Sequence, residues 1–403
     1  MINLRNLNAS YLLGASAFCY FALYLVLPNG SAAYPFALVA IGLAARWLFS
    51  RSDLKLGKDG FYWASALIAF ALVGLASIAY HEASVDLVDK PLHFLVVGLL
   101  ALTVLRYRLN VLWVQVGVFF GTLSILWLLT SQYTGGRFAP TMNATKFGLS
   151  IALQAALCFS LAINCHNGWG RAVFVGLGLL NIYFVLLTGT RGAILAMGIY
   201  GVVVLGYLFV KSVSIRAKVV AFSVLVIAVV GSSMSASVQS RLQTTFSEIS
   251  RIQSGDYNGS VGYRLVMYEA GLQAGLAAPV FGAGYDYAGV FESYSSSNQS
   301  KIDAAEKISG NFQNFHNLYV DTFTKRGLVG LVVLFAVFIT ALNSTSSKQF
   351  LLMVPPVVII ATGGLTDSVF ELGITTSYFV IATTLLKCVD ISNSQWQAQS
   401  KTI

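Results

Sequence analysis

A chain of 403 residues that is 56% hydrophobic and 10% charged, with a mean hydropathy of +0.73, cannot be a soluble globular domain. Its net charge of +9 lies between apolar stretches rather than in a basic stripe interleaved with aromatics, so no nucleic-acid surface is expected. The four cysteines lie in or beside apolar stretches and form neither a disulfide framework nor a CxxC metal pair.

A membrane-spanning helix needs about 20 mostly apolar residues, because unpaired backbone groups are too costly in lipid. In chain order, twelve spans are expected: 10–27, 33–49, 61–80, 91–105, 111–130, 145–164, 172–188, 192–210, 219–237, 323–343, 350–364 and 372–388. The fourth, eleventh and twelfth are short or interrupted. Gly30-Ser31-Ala32-Ala33 after the first span resembles a signal-peptide cleavage site. Cleavage there would leave an odd number of spans, so the first span reads as a retained anchor. The expected fold is all-α and integral to the membrane, with residues 1–403 as one polytopic domain.

Charge placement supports the alternation. One set of loops holds Arg46, Arg51, Lys55, Lys58, Arg106, Arg108, Arg171, Lys211, Arg216, Lys218 and Lys348, and the chain ends add Arg5, Lys387 and Lys401. The opposite short loops hold little beyond Lys90, Arg137 and Arg191. The positive-inside rule then puts both termini in the cytoplasm and residues 238–316 outside, between spans nine and ten.

That polar segment has its own pattern. Val238, Leu242, Phe246, Ile249 and Ile252 predict an amphipathic helix continuing outward from span nine. Leu265, Tyr268, Leu272 and Leu276 predict a second helix over 263–276, closed by Pro279. Residues 281–289, FGAGYDYAG, are turn-forming, and Ser293 to Gly310 is polar and expected to be mobile. His316 follows directly.

Groups that could carry chemistry are few. There is no DxD pair, GxSxG elbow, P-loop or metal-spaced cluster of His, Cys and carboxylates, so neither a metal nor a cofactor is expected. Arg191 lies in the glycine-bracketed turn Thr188-Gly189-Thr190-Arg191-Gly192. It reads either as an arginine snorkelling to headgroups or as a planar fork for phosphate oxygens. Arg264 opens the 263–276 helix, where helix amides favour an anion, or it pairs with Glu269. Arg137 is a third outward arginine. His316 reads as a general base or as a hydrogen-bonded interfacial histidine. His81, His93 and His166 fall in a short outer loop, in a span and in the cytoplasm. Asp367, in Gly364-Leu365-Thr366-Asp367, either orients the histidine or the acceptor, or is a solvated cap.

His316-Asn317, nine residues, Gly327, two residues and Gly330 together resemble the signature of bacterial O-antigen ligases. The TGTRGA turn at 188–193, the Arg264-to-Pro279 helix with Gly282-Ala283-Gly284, and the Thr366-Asp367 turn resemble the wider superfamily, which includes O-antigen polymerases and protein O-oligosaccharyltransferases. The likeness covers roughly residues 130–370 and implies a GT-C-like membrane glycosyltransferase in the bacterial inner membrane. Its donor would be undecaprenyl-diphosphate-linked O-antigen and its acceptor a hydroxyl of lipid A-core. The resemblance makes Arg191, Arg264 and His316 essential and Asp367 important. Polymerases typically have two large outer loops, and the oligosaccharyltransferases carry a C-terminal extension; this chain has one outer segment and ends soon after its last span. A twelve-span transporter is the reading from another class, but intramembrane acidic relay residues are scarce.

Overall fold

A computed structural model describes residues 4–27, 37–44, 55–133, 137–165, 167–210, 236–298, 301, 304, 314–344, 346–371 and 373–390. These residues are almost entirely helical, and the protein is an all-α membrane protein. The first seven helices are α1 (Leu4–Leu23), α2 (Lys58–Tyr80), α3 (Asp89–Val104), α4 (Val111–Gln132), α5 (Ala144–Asn164), α6 (Gly168–Thr188) and α7 (Arg191–Val210). Then come α8 (Ala236–Gln253), α9 (Ser260–Ala277), α10 (Tyr287–Ser297), α11 (Leu318–Leu342), α12 (Ser347–Gly363) and α13 (Gly373–Cys388). A two-residue parallel bridge joins β1 (Leu109–Asn110) to β2 (Val389–Asp390).

Among the described residues, seven helices are long and apolar enough to cross a membrane: α2, α3 with the 3-10 turn before it, α4 to α7, and α11. Residues 9–23 of α1 and 348–363 of α12 are shorter apolar helices, and α12 contains Pro355 and Pro356. Ten of the twelve expected spans coincide with α1 to α7 and α11 to α13. The span expected at 33–49 is described, as helix, only over 37–44, and that at 219–237 lies outside the described residues except for its last two.

α5 is the hub. Its most apolar window is 83% buried, against 28–50% for the other six, because α6, α7 and α12 all pack on it. Small residues such as Gly148, Ala152, Ala155, Ala156 and Ser160 allow that close approach. Polar side chains join helices across the interior: Asn181 Nδ2 donates to Thr122 Oγ1 (2.8 Å), Gln154 Nε2 to the Val118 carbonyl (2.9 Å) and Trp63 Nε1 to Thr384 Oγ1 (3.0 Å).

Both helices expected in the polar segment form, as α8 and α9. Of the stretch Ser293–Gly310, expected to be mobile, residues 293–297 belong to a helix. Residues 287–297 are helical because Asp286 caps Gly289 N and Phe291 and Tyr294 are buried against α9. Residues 305–313 lie outside the described residues.

Candidate active site

His316 occupies the position just before a helix cap. Asn317 Oδ1 accepts from the Tyr319 and Val320 amides (3.0 and 3.2 Å) and starts α11. His316 itself has φ +48, a left-handed backbone that costs a non-glycine residue about 1–2 kcal/mol. Several bonds hold it there. Its amide donates to Asn314 Oδ1 (3.0 Å), its carbonyl receives the Tyr268 hydroxyl (3.0 Å), and the preceding Phe315 amide donates to Asp321 Oδ1 (3.1 Å).

The turn after α12 is zipped onto this segment. Leu318 N donates to the Gly364 carbonyl (2.7 Å), Asn317 N to Ser368 Oγ (3.2 Å) and Asn317 Nδ2 to the Leu365 carbonyl (3.2 Å). The registration puts Asp367 Oδ1 3.2 Å from His316 Nδ1, while the Ser368 amide donates to the same oxygen at 2.9 Å. Asp367 is buried at 6% exposure, so it is not a solvated cap but the partner of the histidine. A proton held on Nδ1 and donated to that carboxylate would make Nε2 the accepting nitrogen of the ring.

Arg191 reaches the same place from another turn. α6 ends at Gly189, whose φ of +60 reverses the chain, and Arg191 begins α7. Thr190 Oγ1 donates to the Ala144 carbonyl (2.8 Å), which fixes the turn to the start of α5. Gly192 abuts Thr366 so closely that any Cβ would strike its hydroxyl. Arg191 therefore stands beside the turn that presents Asp367. Arg137 is tied to the turn as well, but as a helix cap: its Nε donates to the Thr188 carbonyl (3.0 Å), next to Phe138 N on the Leu187 carbonyl (3.0 Å).

Arg264 departs from expectation in two ways. α9 starts at Ser260, so Arg264 lies in the second turn rather than among the free N-terminal amides, and Glu248 Oε2 already takes the Val261 amide (2.9 Å). Glu269 pairs with Lys301 and Tyr294 instead of Arg264. Arg264 lies within electrostatic range of Tyr268, one turn on, whose hydroxyl is shared between the His316 and Leu365 carbonyls (3.0 and 3.2 Å). Burial pushes that phenol above its ordinary range, with Arg264 opposing and Asp367 reinforcing, so it remains a protonated donor.

Sequence reasoning missed Lys146, in the first turn of α5, which lies within electrostatic range of Asp367 and Lys90. It also missed Tyr268 as a tether, having placed it in an apolar stripe. The largest omission is a buried ion network inside α11. Lys325 Nζ lies 2.8 Å from Asp321 and 3.1 Å from Glu371, and Arg326 lies 3.7 Å from Glu371. Charged residues four apart at a helix start were the available signal. Among the described residues, no three His, Cys, Asp or Glu side chains form a metal-binding group.

Helices able to cross a membrane, with a His–Asp pair where α11 begins and α12 ends, define a polytopic membrane protein with a polar site at its helix ends. Residues 176–335 match the family model of the O-antigen ligases. The matched part contains Arg191, Arg264 and His316; Arg137 and Asp367 lie outside it. The chain is also 24% identical over 340 residues to an uncharacterized protein of Haemophilus influenzae, covering 80% of this chain and 81% of that protein.

Proposed function

We propose that this protein is an inner-membrane O-antigen ligase, transferring O-antigen from undecaprenyl diphosphate to a hydroxyl of lipid A-core on the periplasmic side. The contact between His316 Nδ1 and Asp367 (3.2 Å) carries the reading. His316 Nε2 takes the proton of the acceptor hydroxyl, and the oxygen attacks the anomeric carbon of the donor. The bond from that carbon to the diphosphate breaks, its electron pair leaving with undecaprenyl diphosphate. One displacement inverts the anomeric centre. Arg191 and Arg264 neutralise the developing diphosphate charge, the work divalent metals do in other transferases, so the reaction is metal-independent. Arg137 supports the donor side by holding the turn that carries Arg191. Residues 1–403 act as one membrane domain with both termini cytoplasmic and the 238–316 segment periplasmic, in accord with the charge placement.

His316→Ala should abolish attachment while the protein stays in the membrane; base catalysis typically contributes about 10²–10⁴-fold. Normal attachment by this variant would end the general-base reading. Lipopolysaccharide from a deletion strain separates the related activities. Loss of the polymer ladder with retained lipid-linked polymer identifies a ligase, whereas loss of the lipid-linked polymer as well identifies a polymerase.

A further inference from the structure

The apolar stripe of α9 faces outward. Val266, Met267 and Ala270 are buried, and Gly271 and Gly275 lie against Val320, Phe323 and Thr324 of α11. Leu265, Leu272 and Leu276 point away, and Leu276 is 69% exposed. The open face continues through Val280 and Phe281 (61% exposed), and the Phe281 ring lies 6.3 Å from that of Tyr80 at the end of α2. Residues 270–285 carry no charge at all. A helix and turn left in water would not present this surface.

The adjoining surface identifies what covers it. α11 is enclosed by protein up to Gly327 and then opens as a stripe of Leu328, Val332, Phe335 and Ile339, the exposed face of a membrane-spanning helix. The 279–284 turn is bonded to α11 where that stripe begins. Leu328 N donates to the Pro279 carbonyl (2.8 Å), Val329 N to Val280 (3.3 Å), and Ala283 N to the Thr324 carbonyl (2.7 Å). Gly327, at φ +61, interrupts the helix at that level, and the turn takes up the backbone groups the break releases. Non-helical backbone at membrane depth persists only where protein satisfies its polar groups. Here the kink and the turn satisfy each other.

We propose that the C-terminal half of α9 and the 279–284 turn form a re-entrant element whose exposed apolar face is immersed among lipid acyl chains, on the side of the membrane that carries His316. Arg264 on the first half of α9, and Glu269 at its middle with its partner Lys301, then lie at headgroup level, and α9 fixes the height of Tyr268 and His316 against the bilayer. The inference rests on the chain spanning a membrane and not on the reaction assigned to it.

The test is quenching of Phe281→Trp in liposomes, read as the emission added over the protein's six native tryptophans. Lipids brominated on their acyl chains should remove most of the added emission and aqueous iodide little of it. Ser254→Trp, in the exposed link between α8 and α9, should show the reverse. Iodide quenching at 281 equal to that at 254, without quenching by brominated lipid, overturns the proposal. Val280→Trp gives the same reading if Phe281→Trp does not accumulate. Either result stands whether or not the protein proves to be a ligase.

Discussion

At the residue scale, the proposed base catalysis depends on which nitrogen of His316 accepts the proton, and the contact with Asp367 bears on that. An amide at 367 can accept from Nδ1–H or donate to Nδ1, and the second arrangement puts the proton on Nε2, where it blocks base catalysis. Asp367→Asn should therefore lower kcat by about 10²-fold or more while leaving the KM for the lipid-linked donor nearly unchanged. Steady-state kinetics on purified donor and acceptor checks this, and a raised donor KM with unchanged kcat in Asp367→Asn would instead implicate ground-state contacts. His316 was legible in the chain through its spacing to Gly327 and Gly330. Asp367 was legible only as an open choice, because nothing local distinguishes a buried partner from a solvated cap.

At the element scale, α11 departs from a regular span. The apolar pattern predicts a helix over 323–343; the helix runs from Leu318 to Leu342 and is broken at Gly327. The break has a steric cause. The 279–282 backbone crosses α11 there, and a Cβ on residue 327 would strike the Val280 carbonyl. Gly327→Ala should destabilise the protein by about 2 kcal/mol or more, the left-handed backbone and the collision adding together. Gly176→Ala in α6 meets nothing within 4 Å and should be neutral or slightly stabilising. Thermal unfolding of both variants in one detergent makes the comparison. A glycine spaced from a histidine is visible in a sequence, but the Val280 carbonyl that makes it necessary is 47 residues away.

At the scale of the whole molecule, Lys325 ties the two loops of the site together. Asp321 holds the Phe315 amide on one side of it, and Glu371 follows Asp367 on the other, with its amide on the Ser368 carbonyl (2.9 Å). Lys325→Met leaves a carboxylate at 2% exposure without its cation. Breaking a buried pair this way typically costs about 3–5 kcal/mol. The expected outcome is a lower unfolding temperature together with reduced kcat in the protein that remains folded, since the His316 and Asp367 segments are no longer clamped. Lys325→Arg, which keeps a cation between the carboxylates, should recover part of both.

The sequence by itself determined the solvent, the class and the parts. Hydropathy alone requires a helical membrane protein, because only internally bonded backbone survives in lipid, and helices stand at ten of the twelve apolar runs, seven of them long and apolar enough to cross a membrane. It also contained His316, Arg191, Arg264 and Asp367 as a sparse polar set in so apolar a chain, each open to a functional and a structural reading. Tertiary structure decided which of these meet and how. Asp367 closes on His316 because Asn317 and Leu318 bond to the turn after α12, and Arg137 is spent on the end of α6. The direction of the α9 stripe was likewise undecidable from periodicity, which places apolar residues on one face without saying whether protein or lipid covers it. In a membrane both are apolar, and only the packing of Gly271 and Gly275 against α11 turns the leucines outward.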